Sequence, residues 1–306
     1  MQARPPEGAE DTEAQRSDER RARRDAQALA HRRARLVALG ALVAIVAIVA
    51  LSLDQSAPAG APLAPATPSR QSAPGASRAA ADDKAIDDVL AYTPYVVRGR
   101  HRRKEVALTF DDGPGPSTPA LLRYLKANHV PATFFLVGRA IAEHPDLVRR
   151  ESRAGFSLGT HTENHARLGS RTVADQSQEI LTAADRITQI SGHAVRLFRP
   201  PYGSFDANTL GVLRAERMLM ALWSIDTRDY AATSPGPIVR AALSAPAAGA
   251  VVLMHDGPAP RPNTLAALHA IVPTLRRRGY RLVSLPALLR DDPPPRHQPA
   301  PHNLAG

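Results

Sequence analysis

Val106-Ala107-Leu108-Thr109-Phe110-Asp111-Asp112-Gly113-Pro114 (VALTFDDGP) is the stretch whose reading decides the fold. Five apolar or β-favouring residues, Val106–Phe110, run directly into two carboxylates and a Gly-Pro turn. A run this short and this continuous suits a strand hidden on both faces. Similar runs recur at Ala132–Val137, Phe156–Gly159, Val195–Phe198, Leu219–Ile225, Ala250–Met254 and Arg281–Ser284. Helical patterns separate most of them: Pro119–Leu125, Pro145–Ser152, Val173–Ile190, Asn208–Glu216, Pro237–Leu243 and Thr264–Arg277. In Val173–Ile190 the residues Ile180, Leu181, Ala184 and Ile187 form one stripe of a 3.6-residue period. Seven strands alternating with helices predict an α/β fold with a parallel sheet. No Gly-rich phosphate fingerprint supports a dinucleotide fold, and Gly113-Pro114-Gly115-Pro116 lacks the Lys-Ser/Thr of a P-loop. The expectation is a barrel or deformed (β/α) barrel of about seven parallel strands.

Working outward, the ends of the chain differ in kind from this middle. Leu36–Leu53 (LVALGALVAIVAIVALSL) is eighteen residues without a charge, and seven Arg lie between Arg20 and Arg35. At about 1.5 Å per residue the apolar run spans roughly 27 Å, which predicts a transmembrane anchor with the basic segment 1–35 in the cytoplasm. The expected location is therefore the cell membrane, single-pass, with the bulk of the chain exported, or secreted if the leader is cleaved. Residues 54–84 are rich in Pro, Ala and Ser and read as a disordered linker, 85–290 as the folded domain, and 291–306 as a disordered tail.

Composition narrows the chemistry. The chain of 306 residues has no Cys, which excludes disulfides, thiolate metal sites and a cysteine nucleophile, so a metal must be held by His, Asp or Glu. The net charge is +10, of which +9 falls within residues 85–290. A basic domain suits any anionic polymer. Aromatic residues are only 4%, without the interleaving of basic and aromatic residues that single-strand binding uses, so no nucleic-acid partner is inferred, nor a specific protein one.

In a parallel barrel, reactive residues come from the C-terminal ends of strands. Those ends carry Asp111-Asp112-Gly113, His161-Thr162-Glu163-Asn164-His165, Arg199-Pro200-Pro201-Tyr202-Gly203, Asp226-Thr227-Arg228-Asp229-Tyr230 and His255-Asp256. His161 and His165, four apart, share a face if the segment is helical and can reach one cation. Adjacent side chains in extended backbone point apart, so one of Asp111 and Asp112 can bind that cation while the other stays free as a base. His255 is a candidate acid, its ordinary pKa lying near neutrality.

These residues resemble carbohydrate esterase family 4, the polysaccharide deacetylases with a NodB homology domain. The resemblance covers roughly residues 103–290 and rests on Thr109–Pro114 (TFDDGP), His161–His165 (HTENH), Arg199–Gly203 (RPPYG), Asp226–Tyr230 and Leu253-Met254-His255. It implies a metal triad of Asp112, His161 and His165, usually holding Zn2+, with another divalent transition metal as the alternative. It implies Asp111 as base, Arg199 as its partner and His255 as acid, oriented by Asp226 in preference to Asp229. It further implies that a Tyr202 amide helps bind an oxyanion and that Trp223 and Leu253 line an acetyl pocket. The fourth motif commonly ends in Trp in that family and here ends in Tyr230, which bears on substrate preference. The implied activity is removal of N-acetyl groups from a polysaccharide, peptidoglycan or a chitin-like glycan. Two alternatives stand beside it: a catalytically silent glycan-binding or scaffold protein, and an O-deacetylase acting on xylan-type polymers.

Overall fold

The computed structural model describes residues 74–244 and 248–298. The expected cytoplasmic segment 1–35, the anchor 36–53, linker residues 54–73 and the last residues of the tail lie outside the described residues. Among the described residues no helix is long and apolar enough to cross a membrane.

Among the described residues nine strands form one sheet: β1 (Tyr95–Val96), β2 (Glu105–Gly113), β3 (Thr133–Leu136), β4 (Ser157–Thr160), β5 (Leu197–Phe198), β6 (Leu219–Ala221), β7 (Ile225–Asp226), β8 (Ala250–His255) and β9 (Arg281–Val283). Their order is β1-β6-β5-β4-β3-β2-β8-β7, every neighbouring pair is parallel, and β9 joins β2 beside β3. The helices are α1 (Pro74–Leu90), α2 (Thr118–Ala127), α3 (Gly138–Glu143), α4 (Pro145–Arg153), α5 (Val173–Ser191), α6 (Ala207–Ala215), α7 (Pro235–Leu243), α8 (Pro262–Arg277) and α9 (Leu285–Asp291). The result is the expected α/β architecture, a curled parallel sheet that fits a deformed barrel, with β1 and β7 as its free ends.

The period of two along the strands sorts side chains to the two faces. On β2, Val106, Leu108 and Phe110 join α2, α4, α7 and α8 in the outer core. Ala107, with Phe135, Val251, Leu219 and Leu197, faces inward. Thr109 and Asp111 continue that inward row toward the C-terminal end of β2. Beneath it, the N-terminal ends of the strands are plugged by Ala85, Ile86 and Val89 of α1 against Leu285, Leu288 and Leu289 of α9.

This plug corrects two expectations. Residues 74–84 are not part of a disordered linker but belong to α1, whose Ala-rich composition favours helix. An apolar stripe that begins only at Ala85 hides this in the sequence, because it has no partner until α9 is in place. Nor is all of the tail unstructured. The Tyr92 hydroxyl donates to the Pro294 carbonyl at 2.9 Å, the Val97 amide donates to Gln298 Oε1 at 2.8 Å, and Asp292 is buried. The run Leu219–Ile225 is also not one strand: it breaks between β6 and β7, where the carbonyls of Ala221 and Leu222 turn to accept hydrogen bonds from Arg199.

Ile86 is 3% exposed in the plug. Ile86→Ala should lower unfolding free energy by about 2–5 kcal/mol, measured by urea denaturation.

Candidate functional site

Arg199 follows β5 and is fully buried. Its Nη1 donates to Asp111 Oδ1 and to Thr109 Oγ1, each at 2.7 Å; Nε and Nη2 donate to the carbonyls of Ala221 and Leu222 at 3.0 and 3.1 Å. Its guanidinium carbon lies 4.1 Å from the centre of the Phe135 ring and 5.8 Å from that of Trp223. The pair is thus a buried ion pair in which every guanidinium nitrogen has an acceptor, the condition under which burying two charges is tolerated.

Asp112 follows at a bulge, where the β2–β3 register slips by one residue, and its φ of +71° is left-handed. The bulge turns Asp112 out of strand alternation, toward the loop after β4. That loop is not helical, contrary to the simplest reading of His161 and His165. Left-handed turns at Thr162 and His165 bring the imidazoles together, with the Thr162 hydroxyl accepting the Ala166 amide at 3.1 Å. The first turn of α3 holds the loop closely: the Gly138 amide donates to the Thr162 carbonyl at 2.9 Å. A Cβ on Gly138 would sit only 1.8 Å from Glu163 Oε2.

Asp112 Oδ1 lies 3.1 Å from His165 Nε2 and 3.6 Å from His161 Nε2, and a ligand atom of each residue lies within 4.8 Å of the others. Donors about 2.0–2.1 Å from a tetrahedral ion stand roughly 3.4 Å apart, so the cluster fits a divalent cation. Asp112 Oδ1 is also a buried acceptor with no hydrogen-bond donor, the position a cation would satisfy. His161 Nδ1 stands 2.7 Å from the Arg199 carbonyl, so Nδ1 carries the proton and Nε2 offers its lone pair. Burial lowers the pKa of His161 despite Asp111 and Asp112, keeping the ring neutral as a ligand must be. Burial alone would raise the Asp112 carboxyl; the imidazoles of His165, His161 and His255 bring it below the usual range. Asp111 Oδ2 is 3.8 Å from His161 Nε2, so the free carboxylate oxygen of the ion pair sits beside the cluster.

His255 ends β8, in register with Asp111. Its Nδ1 is 2.7 Å from Asp229 Oδ1, its amide donates to Asp229 Oδ2 at 2.8 Å, and the Thr264 hydroxyl donates to the same oxygen at 2.6 Å. Asp229, not Asp226, is therefore the partner of His255. Asp226 turns back on its own loop and accepts the Arg228 amide at 2.8 Å. Burial would lower the His255 pKa, but Asp229, Asp111 and Asp112 raise it. Burial likewise opposes ionisation of Asp229, and its bonds to His255 and Thr264 hold it low.

Comparison with known proteins identifies the family. Residues 98–220 match the family model described as polysaccharide deacetylase. A peptidoglycan-N-acetylglucosamine deacetylase of Bacillus cereus is 33% identical over 214 residues, covering 67% of this chain and 78% of that protein. The chain belongs to the polysaccharide deacetylase family. A chitooligosaccharide deacetylase of a Bradyrhizobium species is 37% identical over 198 residues, covering 60% of the chain and 90% of the relative. The crystal structure of a peptidoglycan N-acetylglucosamine deacetylase bound to 4-naphthalen-1-yl-N-oxidanyl-benzamide matches with a TM-score of 0.64 at 31% identity. That match covers 67% of this chain and 97% of the other.

In this polysaccharide deacetylase domain the remaining predicted residues lie at or just below the C-terminal ends of the strands, the open end opposite the α1–α9 plug. Tyr202 lies in a left-handed turn at the rim, 52% exposed, its ring 4.7 Å from that of His165. Tyr230, equally exposed, meets the His255 ring edge-on at 5.3 Å. Leu253 is buried one inward step below His255, opposite Thr109, and Trp223 packs against the interior core.

Sequence reasoning missed Thr109, although its inward parity with Asp111 was readable. It also missed Asp256, which points away from the opening, into the helical layer. Asp256 accepts a hydrogen bond from the Thr118 hydroxyl, and that hydroxyl in turn accepts the Gly115 amide at 2.8 Å. A Cβ on Gly113 would lie 2.5 Å from Asp256 Oδ1, so Asp256 clamps the loop that carries Asp112. Burial, with Asp112 and Asp111 nearby, pushes its pKa up to about 7, and burial raises that of Glu151 as well. The folded state thus holds this proton more tightly than the unfolded chain. The stability it lends is full below about pH 4 and is lost as pH rises through about 7. The thermal midpoint should fall between pH 5.5 and 8, and fall less in Asp256→Asn, as followed by circular dichroism.

Proposed function

We propose that the protein is a metal-dependent hydrolase that removes N-acetyl groups from amino-sugar residues of a polysaccharide, with peptidoglycan as the first substrate and chitin-like glycans as the next. The observation that carries this reading is the convergence of Asp112, His161 and His165 within 4.8 Å, with Asp111 beside them and an Asp229-paired His255 in register with Asp111. The relatives named for peptidoglycan and chitooligosaccharides support the substrate class.

A divalent cation, Zn2+ by family likeness, held by Asp112, His161 and His165 would polarise the acetyl carbonyl and acidify a water. Asp111, with Oδ1 bound to Arg199, uses Oδ2 to take the proton from the attacking water. The Tyr202 amide contributes to binding the developing oxyanion. His255, its Nδ1 held by Asp229, gives the Nε2 proton to the departing amine, because an amide nitrogen does not leave as an anion. Trp223 and Leu253 border the acetyl methyl, and the rings of Tyr202 and Tyr230 form the walls of the sugar groove. The apolar run Leu36–Leu53 supports a membrane-held enzyme working outside the cell.

Asp111→Asn should keep bound metal while losing about 10²–10⁴ in kcat, whereas His161→Ala should lose both, as read by acetate release and metal analysis. Wild-type turnover in Asp111→Asn would overturn its role as base. A second outcome follows from the raised His255 pKa, which keeps the acid protonated until pH passes above it. Asp229→Asn should therefore lower kcat and move the alkaline limb of its pH profile down by about one unit or more.

A further inference from the structure

The two aromatic walls of the opening differ. Tyr230 carries no stacked cation among the described residues; Arg261 reaches only its backbone carbonyl, at 3.3 Å. Over the ring of Tyr202, by contrast, lies the guanidinium of Arg167, its carbon 4.1 Å from the ring centre. Tyr202 in turn touches His165, so two ring contacts connect this cation to a predicted metal ligand.

The backbone of Arg167 is pinned. Ala166 and Leu168 on either side are buried, and the Ala166 amide is bound by Thr162. The carboxylates on the same loop and the helix behind it are engaged elsewhere: Glu163 pairs with Arg186 at 3.0 Å, and Glu179 accepts from Asn164 at 2.9 and 3.1 Å. Among the described residues no carboxylate pairs with Arg167. Arg171, which donates to the Arg167 carbonyl at 2.9 Å, adds a second cation to this lip. A guanidinium stacked on a ring keeps its N–H edge available, and that edge matches a carboxylate in two-point geometry. A sugar arriving at this wall meets an oriented cation in addition to an aromatic ring.

We infer that Arg167 is a specificity-determining residue that binds a carboxylate carried by the glycan next to the residue being deacetylated. The enzyme then favours carboxylate-bearing strands over neutral ones. This rests on the deacetylase reading above and sharpens it. The net charge of +9 over residues 85–290 works in the same direction, drawing in an anionic polymer at longer range.

The test uses the full-length protein and three substrates: peptide-free peptidoglycan strands with free lactyl carboxylates, the same strands with those carboxylates converted to methylamides, and N-acetylchitopentaose. The readout is kcat/KM for acetate release. In the wild type, carboxylate strands should exceed amide strands about tenfold, with the preference shrinking as salt is raised. Arg167→Ala should bring that ratio close to one, mainly through KM, and Arg167→Lys should restore part of it. A ratio near one in the wild type, or a ratio unchanged in Arg167→Ala, overturns the inference. Wild-type protein that releases no acetate from any of the three overturns the deacetylase reading itself.

Discussion

The buried pairing of Arg199 with Asp111 is the constraint on which the site is built. Taking a guanidinium and a carboxylate out of water costs several kcal/mol each unless the remaining donors find partners. Here every nitrogen of Arg199 is occupied, by Asp111, Thr109 and two carbonyls that leave the strand pattern to receive it. The break between β6 and β7 is the structural cost of that arrangement. The same residue reaches the Asp112-His161-His165 cluster through its backbone, since its carbonyl fixes the tautomer of His161. One position therefore orients both the Asp111 carboxylate and the His161 imidazole, and neither can shift without disturbing the other.

Around that centre, burial acts alike on two histidines and gives opposite results. His161 is enclosed next to carboxylates that do not outweigh its desolvation, so it loses its proton readily and offers a lone pair. His255 is enclosed against Asp229 in direct hydrogen-bond contact, so it keeps its proton. Each Nδ1 has a partner at 2.7 Å; the difference is that His255 meets a carboxylate and His161 a neutral carbonyl, which shifts two chemically identical side chains in opposite directions. The barrel makes this possible by collecting reactive groups at the C-terminal ends of its strands while α1 and α9 close the other end.

The legible part of this design was the part written in short-range pattern. Val106–Phe110 and its counterparts are apolar enough to identify themselves as strands, and the polar clusters that follow them mark one end of the sheet. Features that depend on distant partners leave no such local pattern. The stripe of α1 means little without α9, and the segment 291–298 gives no sign that it will be held by Tyr92 and Val97. Choosing between Asp226 and Asp229 required knowing which way a loop turns, because both lie at the same strand end. Likewise the spacing of His161 and His165 suggested a helix, whereas left-handed turns achieve the same convergence. What spacing alone established was that the pair could meet, not how.

The left-handed backbone at Asp112 carries an evolutionary consequence. Asp and Asn tolerate that conformation better than nearly every other side chain bearing a Cβ. Replacement by Asn would leave the bulge and the sheet undisturbed while deleting the only anionic donor of the triad, and a single base change suffices to make it. Loss of that anionic donor can thus occur in one step at a position whose backbone conformation the new residue also accepts.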